Sequence, residues 1–268
     1  MNVPKRILPI IIVSQFCCTS LWFASNAIIN DLIVNFNLEA QALGNLTSAI
    51  QFGFITGTLV FAILTIADRF SPSKVFFVSA LIAAAFNFSM LLHTNTLFSL
   101  ILFRFFTGFF LAGIYPIGMK IASDYYNKGL GKSLGYLVGA LVLGTAFPHL
   151  LKGFANIIPW EHVIIVTSIL ATCGGLLLLA FVPNGPYRTP SQKLDFSALF
   201  RVFKKLTFRQ AAFGYFGHMW ELYAFWAFVP VMLSSYQKLH HVTSLNIPLF
   251  SFLIIAKLQI LRLLLPAR

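Results

Sequence analysis

Residues 97–121 read LFSLILFRFFTGFFLAGIYPIGMKI, a mostly apolar run whose charged residues are Arg104 and, near its end, Lys120. A helix needs about 20 mostly apolar residues to cross a bilayer, and this run is long enough. The stretch therefore predicts a membrane-spanning helix with one guanidinium well inside it.

The composition of the whole chain agrees with this stretch. Hydrophobic residues make up 58% of the 268 residues, charged residues only 10%, and the mean hydropathy is +0.84. A soluble domain carries about 25% charged residues. The net charge of +12 would suit nucleic acid, but in membrane proteins Lys and Arg collect in cytoplasmic loops and face anionic headgroups. We expect the lipid bilayer, and no nucleic acid, as a partner.

The apolar runs predict an all-α, polytopic transmembrane helical bundle with seven spans joined by short turns. An eighth apolar stretch, 245–256, is too short to span comfortably before Lys257. The predicted spans are 7–29, 41–67, 75–92, 97–121, 133–151, 162–182 and 211–233.

Changes in composition divide the chain into three regions. Residues 1–182 hold six spans, and the breaker cluster Pro183-Asn184-Gly185-Pro186 follows them. Residues 183–210 form a basic linker, and residues 211–268 hold the seventh span and part of an eighth, an incomplete second bundle. Within the linker we expect a short amphipathic helix lying on the membrane surface, with Leu194, Leu199, Phe203 and Leu206 opposed by Arg201, Lys204 and Lys205.

The distribution of Lys and Arg predicts the orientation. If the N-terminus is cytoplasmic, 13 of these residues are inside, and only Lys152 and Lys238 are outside. This asymmetry predicts a multi-pass protein of the cell (inner) membrane with a cytoplasmic N-terminus. The inside residues are Lys5, Arg6, Arg69, Lys74, Lys120, Lys128, Lys132, Arg188, Lys193, Arg201, Lys204, Lys205 and Arg209.

Arg104 is the first candidate functional residue. It lies roughly 10 Å below the outer end of its span, where a charge is costly unless it meets a partner or a wet cavity. We favour a cavity-facing role in substrate binding or proton coupling. The alternative is a side chain that snorkels to the membrane surface.

The seventh span contributes His218 and Glu221, which are three residues apart and therefore on one helix face. Glu221 falls near the middle of the span. Such a pair suits proton uptake and release, or contact with a substrate. The alternative is a mutually satisfied structural pair.

Uncharged polar residues concentrate in the first two spans. Hydrogen bonding between helices is the plain explanation, at about 1 kcal/mol or less each, and the lining of a polar pathway is the other. The residues are Gln15, Thr19, Asn26, Asn45, Thr47, Ser48 and Gln51. The cavity-lining candidates are Gln15, Thr19, Asn26 and Gln51, with Tyr115 from the fourth span.

Motifs for metal, phosphate or nucleophilic chemistry are not found. Cys17, Cys18 and Cys173 lie in apolar stretches without ligand spacing and are interpreted as small core residues. A membrane-embedded enzyme would need a convergent acid–base set, and the chain has only seven Asp and Glu residues. We expect no metal site, no cofactor and no catalytic residues.

Several motifs resemble those of the major facilitator superfamily. The loop Ala67-Asp68-Arg69-Phe70-Ser71-Pro72-Ser73-Lys74 is similar to the family's signature between helices two and three. Leu64 and Ser71-Pro72 replace expected glycine and Gly-Arg, whereas Asp68, Arg69 and Lys74 match. The resemblance implies that these three belong to a conformational-switch loop.

Two further motifs extend the resemblance. Arg104-x3-Gly108-x4-Gly113-x2-Pro116 is similar to the family's helix-four motif, whose arginine is associated with proton coupling. Gly135-x3-Gly139-x4-Gly144-x3-Pro148 resembles the glycine-rich fifth helix seen mainly in exporters, without its adjacent Gly-Pro pair. The family's helices one, four and seven line a central cavity, and Arg104 and Glu221 lie in the fourth and seventh spans.

The resemblance implies secondary active transport of a small solute by alternating access, with protons as a candidate coupling ion. Family members usually have about 12 helices, so we expect a chain truncated at its C-terminal side. Transport by two rocking bundles needs both halves. The second hypothesis is therefore a membrane fragment that inserts stably and does not transport.

Overall fold

A computed structural model of the chain describes residues 4–154, 159–188, 201–241 and 245–264, with side chains in the last stretch as far as Lys257. Within these residues the regular structure is helical and no strand occurs, which confirms the predicted all-α fold. The helices are α1 (Ile7–Thr19), α2 (Ala24–Ala27), α3 (Ile29–Asn35), α4 (Ala42–Ile63), α5 (Ile66–Arg69), α6 (Pro72–Phe88), α7 (Leu97–Leu111), α8 (Tyr115–Tyr125), α9 (Leu130–Phe154), α10 (Trp160–Phe181), α11 (Leu206–Leu239) and α12 (Ile247–Leu264).

Five helical segments of the described residues are long and apolar enough to cross a membrane. They match the predicted second to sixth spans: Ala42–Ile63, Pro72–Leu91, Leu97–Tyr125, Leu130–Phe154 and Trp160–Phe181. The first predicted span differs because it is broken into α1, α2 and α3. The seventh corresponds to α11, whose 34 residues are long enough to span but which is not among the five.

The break after α1 has a local cause. Thr19 Oγ1 donates to the carbonyl of Gln15 at 2.8 Å, and Ser20 Oγ donates to that of Cys17 at 2.7 Å. Hydroxyls that bond back to the helix compete with its backbone ladder and bend it. Residues 20–23 form turns before α2 begins. We call the side where α1 begins the inner side and the opposite side the outer side.

The fourth span is interrupted as well, between α7 and α8. Pro116 sits in the first turn of α8 and lacks the N–H that would continue the helical ladder. Gly113 packs so closely on α6 that a Cβ there would collide with the hydroxyl of Ser79. The Gly-x2-Pro spacing of the sequence thus marks a change of direction in the middle of the span.

Glycines bring α4 and α7 into backbone contact. A Cβ at Gly53 would collide with the carbonyl of Phe105, and one at Gly57 with the carbonyl of Phe109. From the other helix, Gly108 lies against the carbonyl of Ile50. Small residues at such positions let membrane helices approach closely.

The remaining helices of the first bundle pack around α1. This helix lies against α9 and α10, while α6 contacts α7 and α10. At the outer side the Lys152 ammonium lies 2.8 Å from the Asp31 carboxylate and ties α9 to α3. The main core cluster extends from the inner end of α1 to Trp226 of α11.

Beyond the first bundle, α12 packs against α9 and α11 packs against α12. Asn246, just before α12, donates to the carbonyl of Gly153 at 2.8 Å. Of the predicted amphipathic linker helix, Leu194 and Leu199 lie outside the described part of the chain, whereas residues 201–204 form a helical turn before α11.

The glycine contacts between α4 and α7 predict the effect of one methyl group. Gly53→Ala is expected to destabilise the bundle by about 1–3 kcal/mol, because a Cβ cannot fit beside a backbone carbonyl without shifting a helix. Gly44→Ala, on the same helix with nothing within 4 Å, is the matched control and should be neutral or slightly stabilising. Thermal unfolding in detergent measures both. Equal melting temperatures for the two variants would contradict the close packing.

Candidate functional site

Arg104 lies on α7 and is fully buried. Its Nη1 donates to the carbonyl of Leu21 at 3.1 Å and to Oδ1 of Asn87 at 3.2 Å, and its Nη2 donates to the carbonyl of Trp22. Leu21 and Trp22 belong to the break after α1, where the regular helical ladder stops. We call this set of contacts the Arg104 clasp.

The clasp gives the guanidinium a role that sequence reasoning did not consider. A positive charge is favourable at the C-terminal end of a helix, where carbonyls point outward. Arg104 occupies that position for α1, and its Nη atoms donate to two backbone carbonyls and to the amide oxygen of Asn87. It therefore neither snorkels to the surface nor presents its Nη atoms to a cavity in this conformation.

Aromatic rings gather beside the clasp, in a group we call the outer aromatic cluster. The Trp22 ring stacks on Tyr223 with 5.5 Å between centroids, and the Phe23 ring is parallel to Tyr223 at 6.4 Å. Trp226 meets Tyr223 edge to face at 5.4 Å, and Phe54 of α4 lies 4.7 Å from Trp22. The cluster joins the break in the first span to the outer half of α11.

Burial changes sharply along α11. Between Leu206 and Glu221 the described side chains are exposed, except Ala212 and Met219, which are half-buried. Past Glu221 the helix enters the core, and Trp226 and Val229 are almost fully buried. The outer half of α11 thus packs on the first bundle, whereas the side chains of its inner half are mostly exposed.

His218 and Glu221 both lie on the exposed part of α11. Residues two apart on a helix point about 200° from each other, so Glu221 faces away from the ring of Tyr223. Neither side chain has a hydrogen bond or ion pair in the described part of the chain. The structure does not bring His218 or Glu221 to Arg104, although the family resemblance places the fourth and seventh spans around one cavity.

The cavity-lining candidates divide into paired and unpaired residues. Asn26 donates to Thr47 Oγ1 at 2.8 Å, which is a hydrogen bond between α2 and α4. Thr19 donates its hydroxyl to a carbonyl of its own helix. Gln15 is fully buried, and among the residues that the structure describes neither of its amide atoms has a hydrogen-bond partner, nor has the buried Nε2 of Gln51.

Gln15 lies against α8, and Tyr115 is the first residue of α8. The Oε1 atom of Gln15 would collide with a Cβ at Gly118, so that glycine makes room for the amide. Half-buried Tyr115 is within electrostatic reach of Tyr215 and Tyr223. Tyr115 therefore lies near the junction of the fourth span with α11, and Gln15 lies against α8.

The signature loop is held by ionic contacts at the inner side. The Asp68 carboxylate lies 2.8 Å from the Lys120 ammonium on α8. Arg69 donates to Thr65 Oγ1 at 3.0 Å, and Thr65 has a left-handed backbone with φ of 48°. Lys74, by contrast, is exposed on the first turn of α6. Asp68 and Arg69 thus have partners within the first bundle.

The residues after α10 are bound to the same inner face, which sequence reasoning missed. Arg188 donates to the carbonyls of Asp68 at 3.0 Å and Phe70 at 2.7 Å. Tyr125 donates its hydroxyl to the carbonyl of Pro183 at 2.6 Å, and Ser73 donates to that of Val182, also at 2.6 Å. The start of the predicted linker is therefore pinned to the signature loop.

Comparison with known families agrees with this layout. A family model described as the Major Facilitator Superfamily matches residues 11–266. The chain belongs to the Major Facilitator Superfamily. The family and the structural neighbours are transporters rather than enzymes.

Solved structures of a bacterial homolog to the human lysosomal transporter Spinster share the fold. The inward-facing, unoccupied structure has a TM-score of 0.65 at 20% identity and covers 97% of this chain and 60% of its own. The inward-facing, occupied structure has a TM-score of 0.58 at 20% identity and covers 74% and 49%. This chain thus spans 60% or less of that transporter's length. Comparison with curated proteins gives no match.

The clasp predicts a large loss of stability in Arg104→Leu. Three acceptors would remain buried without a donor, and hydrogen bonds to charged groups are worth about 1.5–3 kcal/mol each. Arg104→Lys should be intermediate, because an ammonium cannot reproduce the planar fork. The midpoint of thermal unfolding in detergent measures the effect.

The control for this prediction is Arg209→Leu, which removes an exposed arginine near the start of α11. Its unfolding midpoint should stay near that of the unchanged chain. If Arg104→Leu unfolded at the same temperature as Arg209→Leu, the guanidinium would not hold the break.

Proposed function

We propose that this fold serves secondary active transport of a small solute by alternating access, with the outer aromatic cluster as its outer gate. The observation that carries the proposal is the ring contact between the break in the first span and the outer half of α11. An inward-open state requires a closed contact of this kind at the outer side. The Spinster homolog structures are inward-facing too, which is consistent with this assignment.

The gate would close because flat rings pack on one another and exclude water. An aromatic pair adds about 0.5–1.5 kcal/mol beyond the area that it buries. Tyr223 makes ring contacts across the gate with Trp22 and Phe23, and Trp226 of the same helix meets Phe23 edge to face at 6.3 Å. The total is small enough to be broken and remade in each cycle. Opening would need only α11 to move away from the break in the first span.

The solute would bind on the inner side of the gate, near Gln15 and Tyr115. The unpaired amide of Gln15 offers a donor and an acceptor, and a solute with polar groups would satisfy both. The Nη donors of Arg104 are already occupied in the clasp and are not available to an anionic solute. We infer a solute held by hydrogen bonds and aromatic contact rather than by an ion pair.

Proton coupling through His218 and Glu221 is a separate part of the proposal. Both are exposed toward the side of α11 that is open in this state, so protons from the inner side could reach them. We further propose that the N-terminus is cytoplasmic and the membrane is the cell (inner) membrane, because the 13 basic residues of the inner segments would then face the cytoplasm.

We propose that the chain divides into a six-helix bundle (1–182), a linker (183–210) and a second region (211–268). The signature loop lies within the first of these. We propose that Asp68, Arg69 and Lys74 act in the conformational switch. Lys74 is exposed at the inner face, where it is available to a second bundle. The non-transporting fragment is the second candidate function, because the chain is 60% or less of the length of the Spinster homolog.

Reconstitution decides between the two candidates. The chain alone is placed in liposomes that hold a pH-sensitive dye, and a panel of labelled uncharged and charged solutes is added outside. Solute flux that Gln15→Leu reduces would support the transporter. Stable insertion without any flux would support the fragment.

The gate itself is tested without a known substrate. In a variant with the native cysteines replaced, Val229→Cys is expected to react slowly with a membrane-impermeant thiol reagent added from the outer side. Adding Tyr223→Ala should speed labelling about tenfold, because losing two ring contacts shifts the closed state by about 1.4 kcal/mol.

The matched control for the gate is Tyr236→Ala, an exposed tyrosine further along the same helix. It should leave the labelling of Val229→Cys unchanged. Fast labelling in the unchanged background, or no acceleration by Tyr223→Ala, would contradict the gate.

A further inference from the structure

Asn87 on α6 is fully buried and makes hydrogen bonds in two directions. Its amide nitrogen donates to Ser168 Oγ at 3.0 Å and to Thr167 Oγ1 at 3.3 Å, both on α10. Its Oδ1 accepts from Arg104. The residue therefore lies between α10 and the Arg104 clasp and contacts both.

The chemistry of the neighbours fixes the orientation of this amide. A guanidinium only donates, so the oxygen of Asn87 must face Arg104 and its NH₂ must face α10. Thr167 spends its own proton on the carbonyl of Val163 at 2.8 Å, which leaves a lone pair for Asn87. All donors point the same way, from Arg104 through Asn87 to the backbone of α10.

The other end of this chain of hydrogen bonds is the outer gate. Arg104 holds the carbonyl of Trp22, and the ring of the same residue stacks on Tyr223. A rotation of the Asn87 amide would place its NH₂ against the guanidinium and remove one of the acceptors that orient it. The hydrogen bonds of Arg104 and Asn87 thus connect Trp22 to Thr167 and Ser168 on α10.

We propose that Asn87, together with Thr167 and Ser168, is a positioning residue that fixes Arg104 and through it the Trp22 ring of the gate. This inference rests on the proposed gate. It links α10 to the opening of the outer side through side-chain hydrogen bonds. Asn87 needs no contact with the solute to affect transport.

The test follows the fluorescence of Trp22 in a chain whose other tryptophans, Trp160, Trp220 and Trp226, are replaced by Phe. Acrylamide quenching reports how far the Trp22 ring is exposed to water. Thr167→Val with Ser168→Ala is expected to raise the accessible fraction about tenfold, because a lost hydrogen bond in a coupled network shifts the closed state by that factor. Thr172→Val, which removes a hydroxyl bonded only to its own helix, should change nothing.

A second variant separates positioning from packing. Asn87→Asp keeps an oxygen for Arg104 and adds a charge that holds it, but has no NH₂ for α10 to orient. In that background the two α10 changes should no longer affect quenching, a non-additivity that a packing role would not give.

The outcomes distinguish the inference from the gate on which it rests. If Tyr223→Ala exposes the Trp22 ring of this single-tryptophan chain but the α10 changes do not, the positioning role is overturned and the gate stands. If neither exposes it, both fall. If the α10 changes lower the melting temperature while quenching stays constant, Thr167 and Ser168 only support the fold.

Discussion

A buried guanidinium in an apolar bundle has to be paired, and this requirement organises the protein. A charge in the middle of a membrane span costs several kcal/mol unless polar groups surround it. Arg104 meets it with the carbonyls of Leu21 and Trp22 and the amide of Asn87. Those carbonyls are available because the first span breaks after Thr19. The break and the arginine therefore stabilise each other.

The consequence is a bundle in which rigid and movable parts are adjacent. Glycines lock α4 to α7 by backbone contact, so the arginine is carried on a fixed support. From this support the clasp holds Trp22 of the outer aromatic cluster, which meets Tyr223 of α11. Contacts between rings are individually weak, whereas the clasp is charge-assisted. Motion is expected at the rings and not at the clasp.

Much of the fold could be predicted from residue order, because span length and polarity are local properties. The second to sixth spans agree with the structure to within a few residues, and the Gly113-x2-Pro116 spacing signals the interruption of the fourth. The break in the first span was missed because its cause is the side-chain hydroxyls of Thr19 and Ser20, residues that also occur in unbroken membrane helices. Apolar content alone gives no sign of it.

The site was predicted less well, for a reason of geometry. The sequence singles out Arg104, but two of its three partners are backbone carbonyls, which no sequence motif records. Trp22 and Tyr223 are 201 positions apart by their numbers and meet only through tertiary packing. Glu221 is a charged residue within a predicted span, but it lies two residues from Tyr223 and therefore on the other face of α11.

The most direct test of this account is hydrogen–deuterium exchange of the backbone from residue 20 to residue 28, in the unchanged chain and in Arg104→Lys. The account predicts slow exchange in the unchanged chain despite the broken helix. In the variant it predicts fast exchange confined to this segment and to the outer half of α11. Exchange that stays slow, or that rises evenly over the whole bundle, would contradict the claim that Arg104 holds the break on which the gate is built.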